Sequence, residues 1–164
     1  MAYQYRGRGA GRPEAMTAVA VLLDNQRRRG DVAAVARRVV LYVNADAESR
    51  ILLNRLSRRW SQVEMVMADS AQEGLQLATA RRPDLVMMDV ELPDVDGTTL
   101  MARLRGLPAT ALTPIVALST DGSPEHRRSL LEAGASACLT RPVNIAEVQR
   151  YLGALLGVGR LAPV

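Results

Sequence analysis

The chain has no lysine and no phenylalanine, and only one cysteine (Cys138), one histidine (His126) and one tryptophan among 164 residues. A single Cys excludes an intramolecular disulfide and fits a reducing compartment, so the expected location is the cytoplasm. With one Cys and one His there is no cluster from which to build a zinc site. Aromatics make up 3 % of the chain, so the core must be assembled from Leu, Val, Ile, Ala and Met. The longest apolar run, Ala18–Leu23, is far shorter than the ~20 residues of a membrane-spanning helix. Nothing resembles a cleavable leader. No glycine-rich phosphate loop, kinase nucleotide lid or G-x-S-x-G elbow is present.

What is present divides unevenly. All 21 basic residues are Arg, a uniformity that reads as compositional bias and weakens any argument from one Arg in place of one Lys. Residues 1–38 carry eight Arg against Glu14, Asp24 and Asp31, a net of +5, whereas the remainder carries a net of −1. Residues 1–12 are Gly/Arg-rich and are expected to be disordered. Pro13 to about Arg38 is helix-compatible with a break at Gly30-Asp31, and Met16 is an alternative initiator. We therefore divide the chain into a basic, partly disordered extension (1–38), one domain (39–157) and a flexible tail (158–164).

From residue 38 the pattern becomes regular. Val39–Val43, Val63–Met67, Leu85–Met88, Pro114–Leu118 and Ala135–Leu139 are short apolar runs, as expected of strands buried on both faces. Helical spacing fills the gaps: Glu48–Trp60, Ser70 to Ala80 with a Ser70/Glu73 capping box, Gly97 to about Leu104, Ser123-Pro124 to Glu132, and Ile145 to about Leu156 after Asn144. This is an α/β fold, (βα)₅, and predicts a flavodoxin-like doubly wound parallel sheet in strand order 2-1-3-4-5.

In that topology the carboxyl ends of strands 1, 3, 4 and 5 line one pocket. They offer Asn44-Ala45-Asp46, Asp89, Ser119-Thr120 and Thr140-Arg141-Pro142. A strand-end Asp alone is usually a turn residue. Together with a hydroxyl after strand 4 and a cation-proline pair after strand 5, it is far more specific. Leu-Tyr-Val in strand 1, Arg50, Arg-Pro-Asp-Leu-Val before Asp89, Leu-Pro-x-x-Asp-Gly after it and Leu-Thr-Arg-Pro near the end complete the pattern. Over residues 39–157 the chain resembles the receiver (response regulator) domains of two-component signalling, the CheY-like family.

The resemblance implies that Asp89 is the phosphoacceptor, served by a histidine kinase or a phosphotransfer protein. It implies that Ser119 contacts the phosphoryl group, with Thr120 beside it, and that Pro142 follows a cis peptide. Three positions depart from the family. The acidic pair that helps hold Mg²⁺ falls on Asn44 and Ala45, and Asp46 comes one residue too late to replace it. Mg²⁺ favours carboxylate oxygens in near-octahedral geometry, so binding through Asp89 and the Glu91 backbone is expected to be weak or absent. Arg141 replaces the Lys, and its fork suits a carboxylate; pairing with Asp89 should depress that residue's pKa. Cys138 replaces an aromatic switch residue and reads as a small buried hydrophobe.

The expected function is a divergent, pseudo-receiver form of a two-component signalling protein. It would act by protein–protein interaction, not as an enzyme beyond self-phosphorylation of Asp89. The surface implied is helix 4, strand 5 and helix 5, with Arg127, Arg128, Glu147, Arg150 and Tyr151, which could also support a homodimer. The alternative is a phosphorylation-competent single-domain regulator; no output domain follows, so its response would pass through a partner or residues 1–38. A third reading, nucleic-acid binding by the Arg-rich segment, is weaker for want of a helix-turn-helix. His126 reads as a solvated surface residue. No nucleophile–base pair is visible, which argues against a hydrolase.

Overall fold

Short β-branched runs bounded by Pro, Gly and Asp become the strands of a single parallel sheet. The computed structural model describes residues 37–159 and 161. Its strands are β1 (Arg38–Val43), β2 (Val63–Ala68), β3 (Leu85–Asp89), β4 (Ile115–Ser119) and β5 (Ala137–Thr140). Alternating with them are α1 (Ala47–Ser57), α2 (Ala71–Arg81), α3 (Gly97–Gly106), α4 (Pro124–Glu132) and α5 (Ile145–Leu156). The order is β2-β1-β3-β4-β5 with every pairing parallel. This is the flavodoxin-like arrangement that the apolar pattern predicts.

Both sheet faces are dry. Leu41, Val43, Val86, Met88, Ile115 and Ala117 share one core with Leu100, Met101 and Leu104 of α3 and Ala78 of α2. The alternate strand residues Val40, Tyr42, Leu85, Met87, Val116 and Leu118 are buried as well. Period-2 alternation sends them to the opposite face. Each helix starts on a side-chain cap, Asp46, Ser70, Asp96, Ser123 or Asn144, that accepts a backbone N–H of its own first turn. Because strand and helix alternate, all five helix N-termini gather at the carboxyl edge of the sheet.

Several boundaries differ from the sequence reading, each for a local reason. β5 begins at Ala137 because Ser136 is used in the turn, where its hydroxyl accepts the Ile115 N–H at 3.1 Å. The helix expected to reach Trp60 ends at Ser57, and Trp60 N–H donates to the Ser57 carbonyl at 2.9 Å in the turn towards β2. Asp89 and Ser119 are the last residues of their strands rather than the first of the following loops. Of the segment expected to form a flexible tail, residues 158, 159 and 161 are described. Gly157 (φ 63°) turns the chain back along α5, Leu161 is buried, and a Cβ on Gly153 would lie 2.3 Å from the Gly159 carbonyl oxygen. The readings made for residues 1–36 lie outside the described residues.

Candidate functional site

Asp89 closes β3 and is 5 % exposed. Its Oδ1 accepts the Glu91 N–H at 3.0 Å, and its Oδ2 accepts from Arg141 Nη2 at 2.6 Å. The guanidinium is held in place from its root. Arg141 N–H donates to the Ser119 carbonyl at 2.8 Å, and the Arg141–Pro142 peptide that follows is cis. The expected consequence of this pairing is corrected. Burial pushes the Asp89 carboxyl above the ordinary carboxylate range, and the Glu91 amide and Arg141, which pull the other way, do not offset it. Desolvation of a charge at a closed strand end outweighs one partly exposed cation.

The β1 end is built differently. Asn44 is fully buried. Its Nδ2 donates to the Tyr42 hydroxyl at 2.6 Å and its Oδ1 accepts the Asp46 N–H at 2.8 Å. The Arg50 guanidinium donates to its carbonyl. Ala45 is exposed. Asp46 caps α1, accepting the Ser49 N–H at 2.9 Å and the Ser49 hydroxyl, so its charge serves the helix. At the two positions where an acidic pair is expected, Asn44 and Ala45 therefore present an internally bonded amide and a methyl group. The Asp89 carboxylate is already engaged by Arg141, and that of Asp46 by Ser49. That set does not fit Mg²⁺, which needs several unengaged oxygens. Among the described residues, no three His, Cys, Asp or Glu side chains converge on a possible metal position.

The loops after β3 and β4 are tied together across the site. The Glu91 carboxylate accepts the Thr120 N–H at 3.2 Å and the Thr120 hydroxyl, and that hydroxyl holds Glu91 below the usual carboxylate range. Asp94 reaches back to accept the Ala71 and Gln72 N–H groups (3.1 and 3.2 Å), capping α2 from the acceptor loop. Gly97 makes that loop possible, since a Cβ there would fall 2.5 Å from the Val90 Cα. Beside Arg141 lies a largely apolar cavity of about 530 Å³ lined by Tyr42, Leu52, Leu53, Leu118 and Val148.

Ser119 closes β4, and here the sequence reading of His126 is overturned. His126 Nε2 lies 3.0 Å from Ser119 Oγ, so a serine–imidazole pair exists and the ring faces the site. A signal for it was available. Ser123 caps α4 and Pro124 opens it, which places His126 in the first turn, close to the preceding strand end. Of the expected surface residues, Arg127 reaches back to the Cys138 carbonyl at 3.5 Å, and Arg128 is exposed. Arg150 stands 3.8 Å from Glu147 and 5.5 Å above the Tyr151 ring. Cys138 is buried, as expected.

Residues 40–152 match the response regulator receiver domain family. The chain belongs to that family. It is 34 % identical over 117 residues to the transcriptional regulatory protein PrrA of Mycobacterium tuberculosis, a match covering 71 % of this chain and 49 % of PrrA. This receiver thus corresponds to about half of PrrA's length. The chemotaxis response regulator CheY4 of Vibrio cholerae superposes with a TM-score of 0.68 at 25 % identity, covering 73 % of this chain and 99 % of CheY4. The receiver domain of the sensor histidine kinase PA1611 from Pseudomonas aeruginosa shares the fold at a TM-score of 0.67 and 24 % identity, covering 74 % of this chain and 99 % of its own; a magnesium ion occupies its active-site cleft. Receivers are signalling domains that work with histidine kinases and phosphotransfer proteins. Among the described residues, no helix of this receiver is long and apolar enough to cross a membrane.

Proposed function

We propose that this receiver is a divergent one that signals through protein–protein contact, with Mg²⁺-assisted phosphorylation of Asp89 weak or lost. One observation carries the reading. One oxygen of the Asp89 carboxylate is held at 2.6 Å by Arg141, while Asn44 and Ala45 stand where the family keeps its acids. Phosphoryl transfer relies on a metal to offset charge developing on the transferred group. An Arg–carboxylate pair supplies a cation without that metal and engages one of the two carboxylate oxygens. The partner surface assigned to this role is α4–β5–α5, with Arg127, Arg128, Glu147, Arg150 and Tyr151, facing a histidine kinase, a phosphotransfer protein or a second receiver. Unchanged partner affinity in an Arg150→Ala/Tyr151→Ala variant would remove that assignment.

The second reading, a working phosphoacceptor, is favoured by Asp89, Ser119 and the cis Arg141–Pro142 peptide all occupying the family's positions. Incubation with acetyl phosphate and Mg²⁺, read by intact mass beside an Asp89→Asn control, separates the two. No added phosphoryl mass is the expected result. A phosphoryl adduct that disappears in Asp89→Asn would put the working acceptor first.

A further inference from the structure

The His126 ring touches the acceptor site through Ser119 but has no part in the function proposed above. The direction of the 3.0 Å contact between Ser119 Oγ and His126 Nε2 follows from the remaining partners. Ser119 Oγ accepts the Asp121 N–H at 3.1 Å, which leaves the hydroxyl one lone pair and its hydrogen. On the other side of the ring, Nδ1 faces Asp121 Oδ2 at 4.0 Å. That is beyond hydrogen-bond range, but an acceptor-only carboxylate favours a hydrogen on the nitrogen facing it. The neutral ring then carries its hydrogen on Nδ1, and Nε2 accepts from Ser119. In that state the Ser119 hydrogen is committed to the ring and none is left for an anion at Asp89.

A protonated ring carries a hydrogen on Nε2 as well. The bond to Ser119 must then reverse: Nε2–H donates to Oγ, and the serine hydrogen is free to turn. The charged groups facing the ring are Asp121 in the loop after β4 and Glu91 in the loop after β3. Arg127, next along α4, turns to the Cys138 carbonyl instead. A hydrolytic Ser–His–Asp assignment fails on the same geometry, because Ser119 is only 3 % exposed and Nδ1 lacks the hydrogen bond that orients a catalytic base.

We propose that His126 is a positioning residue that sets the direction of the Ser119 hydroxyl, withholding it from a phosphoryl group when neutral and releasing it when protonated. This rests on reading Asp89 and Ser119 as the receiver's acceptor site, and the test keeps the two claims apart. His126 is the chain's only histidine, so long-range ¹H–¹⁵N spectra of the full-length protein between pH 5 and 8 report this ring alone. The expected neutral form is Nδ1–H with Nε2 as acceptor, moving towards Nε2–H in Ser119→Ala. A neutral wild-type ring protonated on Nε2, or a tautomer indifferent to Ser119→Ala, would overturn the proposal.

The same protein is then treated with acetyl phosphate and Mg²⁺ at pH 6 and pH 8. Wild type is compared with His126→Gln, whose amide does not titrate, so that the donor's own pH dependence cancels. Should wild type take up a phosphoryl group, against the expectation stated above, the pH 6 to pH 8 yield ratio at Asp89 exceeds that of His126→Gln by roughly tenfold, the worth of one hydrogen bond to a charged group. Equal ratios would overturn the proposal. If wild type takes no phosphoryl group at either pH, as the proposed function expects, the ring spectrum decides: a neutral Nδ1–H form that moves towards Nε2–H in Ser119→Ala upholds the proposal, and any other form overturns it.

Discussion

Two half-buried arginines stand at opposite ends of the same sheet and differ in what they bind. At the amino end, Arg105 of α3 donates to the carbonyls of Thr110 (3.2 Å), Ala111 (3.4 Å), Thr113 and Gly134 (2.8 Å). At the carboxyl end, Arg141 meets the Asp89 carboxylate at 2.6 Å. Four backbone oxygens cannot leave or change charge, so Arg105 is a fixed rivet between the α3–β4 and α4–β5 connections. A carboxylate can be protonated, can be modified, or can give up its cation to a competing anion. The difference teaches where this fold is structure and where it is a site: a buried cation bound to backbone closes the molecule, and one bound to a side chain leaves it open to exchange.

The largest effect is expected at the rivet. Arg105→Met keeps the stem but strands several carbonyls, and should cost about 2–3 kcal/mol in urea unfolding. Arg141→Met should cost clearly less, since it releases a carboxylate that can protonate or take up water. Equal losses would erase the contrast between the two ends.

Restoring the missing acids sharpens it from the other side. Asn44→Asp combined with Ala45→Asp should strengthen Mg²⁺ binding by at least about tenfold, as expected for added carboxylate ligands to a hard cation. Isothermal titration, or a Mg²⁺-dependent rise in melting temperature absent from wild type, would show it. No gain would mean that Arg141, rather than the lost acids, keeps the metal out.

A smaller loss, about 1 kcal/mol, is expected for Asp94→Ala, which uncaps α2 from the acceptor loop. Hydrogen exchange at the Ala71 and Gln72 amides should rise, while the Arg105 end stays protected. The subtlest effect is a sign. A carboxyl whose folded pKa is raised binds its proton more tightly in the folded chain, so stability falls as pH climbs from the ordinary carboxylate range through the raised value. Asp89→Asn removes that dependence. The variant should gain on wild type between pH 4 and pH 7, and a gap that shrinks over that interval would mean Arg141 outweighs burial after all.

Much of the fold was legible because it rests on local, repeated signals. Continuous apolar strands, Ser70 and Ser123 as helix starts, and the Pro/Gly turn after Asp89 each act within a few residues. Strand-end positions then place Asp89, Ser119 and Arg141 at one edge of the sheet. Side-chain direction at the site was not legible in the same way. Asn44 turned inward to Tyr42 and Asp46, and Glu91 joined Thr120 across 29 residues. His126 read as solvated because helix periodicity locates a residue on a helix without saying which strand end that helix overhangs.

The amino-acid sequence by itself determined a five-stranded parallel sheet in receiver order, with Asp89 at the end of its third strand, because periodicity and strand-end chemistry are written residue by residue. Only the tertiary structure decided that Arg141 engages that aspartate, that burial nonetheless raises its pKa, and that His126 engages Ser119. Those outcomes depend on distances between segments 7 to 52 residues apart and on how much water the packed elements exclude, and no local pattern encodes either.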